Sequence, residues 1–216
     1  MAAAPVSCLV RNVGDDERDE LGRRVAASWG SPIVISRETA HDVRELPSFV
    51  AVDLTTGRWL GAATYALEAG DCELVCIEAF DRGAGIGTVL LDAVIVAARA
   101  SGARRLWLIT TNDNLDALRF HQRRGFRLVR VWPDAVTRSR LRKPEIPLEG
   151  DYRIPIRDEL ELELVFQGRR VIQPEVLTDS TDETRTGGRV PSHPGAGTGP
   201  NRIWRRPPQT HVADRE

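Results

Sequence analysis

At 216 residues, with 41% apolar and 28% charged, the chain has enough apolar surface for one ordinary globular core and some sequence to spare. Its formal net charge of −1 sets up no overall field to recruit nucleic acid, and no apolar run approaches the roughly 18 residues needed to cross a bilayer. The N-terminus has neither the basic nor the apolar region of a signal peptide, so a soluble cytoplasmic protein is expected. Leu9 to Val13 reads as a short first strand, and Asp15 as the cap of a helix in which Leu21, Val25 and Trp29 recur every four residues on one face. Ser31 to Leu46 reads as loop. Pro47 to Leu54 and Arg58 to Leu67 are strand-like, joined by the hairpin turn Thr55-Thr56-Gly57, and Ala69-Gly70-Asp71 turns the chain into a third strand, Leu74 to Phe80. Cys8, Cys72 and Cys76 make an odd set without Cys-x-x-Cys spacing, so reduced thiols are expected. The four histidines are dispersed without metal-ligand spacing, and no metal is implied.

After Phe80 comes Arg82-Gly83-Ala84-Gly85-Ile86-Gly87-Thr88, a glycine-rich turn between a strand and a helix. Glycines there let the backbone approach an anion closely, and the free amides and dipole of the following helix favour phosphate. No lysine follows Gly87, so this is not the loop of a P-loop NTPase; the glycines at 83, 85 and 87 also lack dinucleotide-fold spacing. An antiparallel meander ahead of the loop likewise disfavours a dinucleotide fold, which begins with parallel units.

From Ile86 to Ala100 the apolar positions follow helical spacing, and Gly102 ends the helix. Arg105 to Thr111 is the next strand; Asn114 caps a helix running through Arg123, and Gly125 closes it before a strand beginning at Phe126. Between Pro133 and Pro155 the pattern is irregular. A mobile insertion on the substrate side is expected there, with Arg138, Arg140, Arg142 and Lys143 as a solvated face. Glu159 to Leu164 alternates strictly, so the last strand is expected to bury leucines on one face and show glutamates on the other, Glu159 lying on an exposed edge. Periodicity ends at Gly168. Residues 1–168 form the expected domain, and 169–216 a disordered extension.

Arg82, Gly85 and Gly87 form an Arg-x-x-Gly-x-Gly pattern, and Asn114, Ala117, Phe120, Gly125 and Phe126 fall in a second block of fixed spacing. Together these blocks resemble the coenzyme A loop and the Asn-x-x-Ala-x-x-Phe-Tyr-x-x-x-Gly-Phe segment of the GNAT superfamily of N-acetyltransferases. The resemblance covers approximately Leu9 to Gln167. It implies an α/β (α+β) fold with a mixed, mostly antiparallel central sheet flanked by helices. It also implies direct transfer of the acetyl group of acetyl-CoA to an amine, on a small molecule or a protein, within a ternary complex. The absence of a Gly-x-Ser-x-Gly elbow and of a local cysteine signature agrees with a reaction without an acyl-enzyme.

The same resemblance assigns roles. Amides from Arg82, Gly83, Ala84, Gly85, Ile86, Gly87 and Thr88 would hold the pyrophosphate, the backbone of Ala79 and Phe80 would pair with the pantetheine arm, and Asn114 would lie close to the cofactor. An alkyl amine is protonated at neutral pH and needs a base, for which Glu78 is the first candidate and Glu73 the second. The family commonly has a tyrosine after Phe120 to protonate the thiolate; this chain has His121, whose ordinary pKa still permits that role. A non-catalytic acyl-CoA sensor is the alternative function. The acceptor, and the choice between monomer and homodimer, are left open.

Overall fold

A computed structural model describes residues 7–80 and 85–166. The elements in chain order are β1 (Cys8–Asn12), α1 (Arg18–Trp29), β2 (Ile33–Ser36), β3 (Thr39–Asp42), β4 (Ser48–Asp53), β5 (Trp59–Glu68) and β6 (Asp71–Ala79), followed by α2 (Ile86–Ala100), β7 (Arg105–Thr111), α3 (Leu115–Gln122), β8 (Arg127–Trp132), α4 (Ala135–Ser139) and β9 (Glu159–Val165). Seven strands form one sheet in the order β1-β4-β5-β6-β7-β9-β8, antiparallel throughout except at β6–β7. No described helix is long and apolar enough to cross a membrane.

Helices cover both faces. The apolar stripe of α2, Ile86, Leu90, Leu91, Val94 and Ala98, packs on Leu60, Ala63, Leu74, Leu106 and Leu108. On the opposite face Leu21 and Val25 of α1 meet Val50, Val52, Ala62 and Val75. Each such fully buried leucine or valine contributes about 1.5–3 kcal/mol relative to exposure. Trp29, the third member of the α1 stripe, is 41% exposed at the end of the helix.

Four expectations need correction. Asp15 does not cap α1: it lies in a short 3₁₀ turn, Asp15–Glu17, whose start is fixed by Glu17 accepting from the Gly14 amide at 3.0 Å and from Arg11 at 2.7 Å. Those donors hold the Glu17 carboxyl down at about 2. Residues 31–46 are not plain loop, since β2 and β3 form an antiparallel hairpin with Ile33 opposite Asp42 and Ser36 opposite Thr39. β9 is not an edge: it lies between β7 and β8, so Glu159 and Glu161 are only 3% and 5% exposed. Finally, the basic segment after Pro133 is not a solvated face throughout. Lys143 is buried, and Arg140 donates to the carbonyls of Ile146 at 3.0 Å, Pro147 at 2.5 Å and Ile156 at 2.8 Å, tying the segment to itself.

Candidate active site

The parallel pair β6–β7 opens the sheet. Pairing between them is confined to Cys72 with Leu106 and Glu73 with Trp107, whereas β6 stays paired with β5 as far as Ala79 opposite Gly61. β7 likewise stays paired with β9 up to Thr111. The facing edges of Leu74–Ala79 and Leu108–Thr111 are therefore unpaired with each other, and their amides and carbonyls border a wedge. At its apex β6 has an extra residue: Thr64 faces Cys76 and Tyr65 faces Leu74, leaving Val75 without a partner, a bulge that bends the strand.

At the far end of β6 the chain enters α2. Gly85 has φ +79°, a left-handed conformation that glycine adopts freely, and the first amides bonded within the helix are those of Thr88 and Val89, both to the Gly85 carbonyl at 2.9 and 3.3 Å. The amides of Ile86 and Gly87 thus precede the helical ladder and have no partner among the described residues. Gly87 serves a second purpose, because a Cβ there would stand 3.3 Å from the Phe120 ring of α3. Asn114 caps α3 by accepting from the Ala117 amide at 3.0 Å. Arg124, which the sequence did not single out, lies over the Phe120 ring at 3.7 Å and donates to Thr88 Oγ1, bringing a cation to the start of α2. Arg82, Gly83 and Ala84 lie outside the described residues, as does the expected extension 169–216. At the wedge, Phe80 donates its amide to the Leu60 carbonyl at 2.9 Å. By strand alternation it is then Ala79, not Phe80, whose N–H and C=O face the opening.

Beside the wedge lies a cavity of about 430 Å³, walled by β6, β7, the β2–β3 hairpin, the end of α1 and the segment after α4. Glu73 and Glu159 line it. Glu73, 7% exposed, accepts from Ser36 Oγ at 2.5 Å and stands 3.4 Å from His41 Nε2, a contact of ion-pair rather than hydrogen-bond geometry. The Glu73 carboxylate draws the His41 pKa upward against the desolvation that lowers it. Glu159 accepts from the Arg37 amide at 3.1 Å, and burial pushes its own pKa up. Glu78 is not in the wall; Ser28 is, and its hydroxyl donates to one Glu78 oxygen while the other is buried without a partner among the described residues.

His121 is 4% exposed and sits edge-on to Phe120 and Phe126, at ring separations of 4.9 and 5.2 Å. Desolvation, with Arg124 adding to it, lowers its pKa to about 4, so the ring is neutral at neutral pH. Cys72 and Cys76 are buried free thiols pushed up to about 12 by desolvation, which makes them inert as nucleophiles. Ser36, His41 and the hairpin that holds them gave no sequence signal, because an isolated serine or histidine in a short strand carries no motif.

The model of the family described as "Acetyltransferase (GNAT) family" matches residues 18–126. The uncharacterized protein YxbD of Bacillus subtilis (strain 168) is 40% identical over 134 residues, which is 62% of this chain and 84% of that protein. An IAA acetyltransferase from Bacillus cereus ATCC 14579 has the same fold, with a TM-score of 0.56 at 19% identity over 74% of this chain and 100% of that one. A Bacillus subtilis acetyltransferase solved in complex with CoA gives 0.55 at 16% identity, again over 74% of this chain and 100% of the other.

Proposed function

The chain belongs to the GNAT family of acetyltransferases, and on that premise we propose that it transfers the acetyl group of acetyl-CoA directly to an amine held in the 430 Å³ cavity. The observation that carries this reading is the wedge: two parallel strands with unpaired facing edges, ending beside a helix start with free amides and opening onto an acid-lined cavity. A pantetheine arm has the amide groups to pair with such an edge as an added strand, and a pyrophosphate suits the amides of Gly85, Ile86 and Gly87 with the Arg124 charge beside them. The neighbour that was solved with CoA supports the donor assignment.

In this reading the neutral amine attacks the thioester carbonyl, the carbon–sulfur bond breaks, and the proton lost by nitrogen ends on the CoA sulfur. Glu73 would accept the amine's proton: it lines the cavity, the Ser36 hydroxyl donates to it at 2.5 Å, and His41 stands at ion-pair distance, 3.4 Å away. Glu78 acts one side chain further out, through Ser28. His121, neutral and enclosed by aromatic rings, serves α3 as packing, and the thiolate is protonated from the amine side or from water.

The test is acetyl-CoA binding followed by thiol release against a panel of amines. Micromolar binding with release on at least one amine is expected. No binding would remove the reading. A non-catalytic acyl-CoA module is the second reading, favoured by the neutral state of His121, and binding without turnover on any acceptor would select it.

A further inference from the structure

The cavity has a second pole. Ser139 and Lys143 line it together with Glu145: Lys143 is 7% exposed and Ser139 4%, while Glu145 is exposed, and among the described residues Lys143 forms no ion pair. The Lys143 amide donates to the Ser139 carbonyl at 2.9 Å, which sets the two residues one turn apart along the chain. Lys143 Nζ spends one donor on the Ile33 carbonyl at 2.9 Å and has two more. Ser139 Oγ is buried and has no hydrogen-bond partner among the described residues. A buried ammonium with its nearest carboxylate beyond ion-pair distance and a buried hydroxyl without a partner among the described residues are both unfavourable unless something completes them. Burial indeed lowers the Lys143 pKa, with the exposed Glu145 and the Cys76 thiol acting against that from outside hydrogen-bond reach.

We propose that the acceptor carries a small oxyanion, a carboxylate or a phosphonate, on the same molecule as its amine, and that Lys143 and Ser139 bind that oxyanion while Glu73 receives the amine. This rests on the acetyltransferase reading above. An ammonium and a serine hydroxyl, carried by two residues that line the same cavity, are a match for the charge and acceptor oxygens of such a group. The acidic pole formed by Glu73 and Glu159 is the complement of the amine. A cavity with one basic and one acidic pole orients a zwitterion and turns away simple diamines, whose second cation would face Lys143. The volume of about 430 Å³ is ample for a compact molecule of the size of an amino acid.

The experiment measures acetyl-CoA binding by calorimetry and kcat/KM by thiol release on the full chain, using pairs matched in carbon skeleton: leucine against isopentylamine, 2-aminoethylphosphonate against ethylamine, and cadaverine as the diamine. The oxyanion-bearing member of one or both pairs is expected to be preferred, and which pair shows it identifies the anion. Lys143→Met is expected to lower kcat/KM for that member about 10- to 100-fold while leaving its partner amine and the acetyl-CoA affinity unchanged. Ser139→Ala, a smaller change that keeps the fold if Lys143→Met does not, is expected to reduce the same preference. A lysine that only pinned Ile33 would lower all acceptors together. Equal use of both members of each pair, or a preference that survives both substitutions, overturns the proposal. Acetyl-CoA binding with turnover of simple amines only overturns it while leaving the acetyltransferase reading intact; absence of acetyl-CoA binding removes both.

Discussion

Gly85 and Gly87 stand two residues apart and are glycine for different reasons. Gly85 needs its left-handed φ of +79° and has open space where a Cβ would go, whereas Gly87 needs the absence of a Cβ against the Phe120 ring at 3.3 Å. Gly85→Asp is therefore the cleaner probe, since aspartate tolerates that conformation and brings a negative charge to the proposed phosphate site. It is expected to weaken acetyl-CoA at least about 100-fold in calorimetry with about 1 kcal/mol or less of lost stability; unchanged affinity would move the pyrophosphate elsewhere. Gly87→Ala is expected to act through packing and lower the melting temperature. His121 supplies a pH signature. Its pKa is about 4 when folded and about 6.5 when unfolded, so between those values the unfolded chain binds more protons and stability falls as the pH falls through that window. The contribution is at most about 3 kcal/mol. His121→Leu is expected to flatten the acid limb of a stability-versus-pH curve and to keep turnover at neutral pH within a few-fold of the parent. A loss of about 100-fold with an unchanged melting temperature would instead make His121 the proton donor. Its spacing after Asn114 was legible; its burial was not, because burial depends on Phe126 and on the helix that α3 packs against.

At the scale of elements, the segment after β8 acts as a strap over the acceptor side. Arg140 ties it with three charge-assisted bonds to carbonyls, Arg142 donates to the Glu38 carbonyl and Lys143 to that of Ile33, linking it to the β2–β3 hairpin. Arg140→Ala is expected to cost about 1.5–3 kcal/mol locally. It should speed hydrogen exchange in residues 140–157 and raise the acceptor KM several-fold without changing acetyl-CoA affinity; unchanged exchange would show that the strap is held by its apolar contacts alone. The cationic residues were visible in the sequence, but their partners are main-chain carbonyls, which no composition reports. β9 teaches the same point. Its Leu/Glu alternation identified a strand, yet Glu161 accepts from Trp132 Nε1 at 3.2 Å and from Arg105 at 3.2 Å, because the last strand in sequence is inserted between β7 and β8. Periodicity reports a strand and its two faces; only topology decides whether the second face is covered. α2, by contrast, runs from Ile86 to Ala100 as its spacing requires, since helical amphipathicity is a local property.

Across the described domain the sheet is two half-sheets, β1-β4-β5-β6 and β7-β9-β8, joined edge to edge by two residue pairs and bridged on one face by α2, whose side chains reach both Leu74 of β6 and Leu106 of β7. The meander and the covering helix could be read from local patterns. The wedge could not, because it consists of pairs that do not form. A ligand lying along that wedge would supply backbone partners to both half-sheets, so its effect belongs to the whole domain rather than to one loop. Saturation at about 100 times the dissociation constant corresponds to about 2.7 kcal/mol of added stability, or about 5–10 °C in melting temperature for a domain of this size. Acetyl-CoA is expected to give that shift and to slow hydrogen exchange along Leu74–Ala79 and Leu108–Thr111, distant in sequence but facing one another. Protection confined to the start of α2 would mean that the phosphates bind while the arm runs outside the sheet. Protection of both strand edges together is the result that the split sheet demands if the wedge holds the donor.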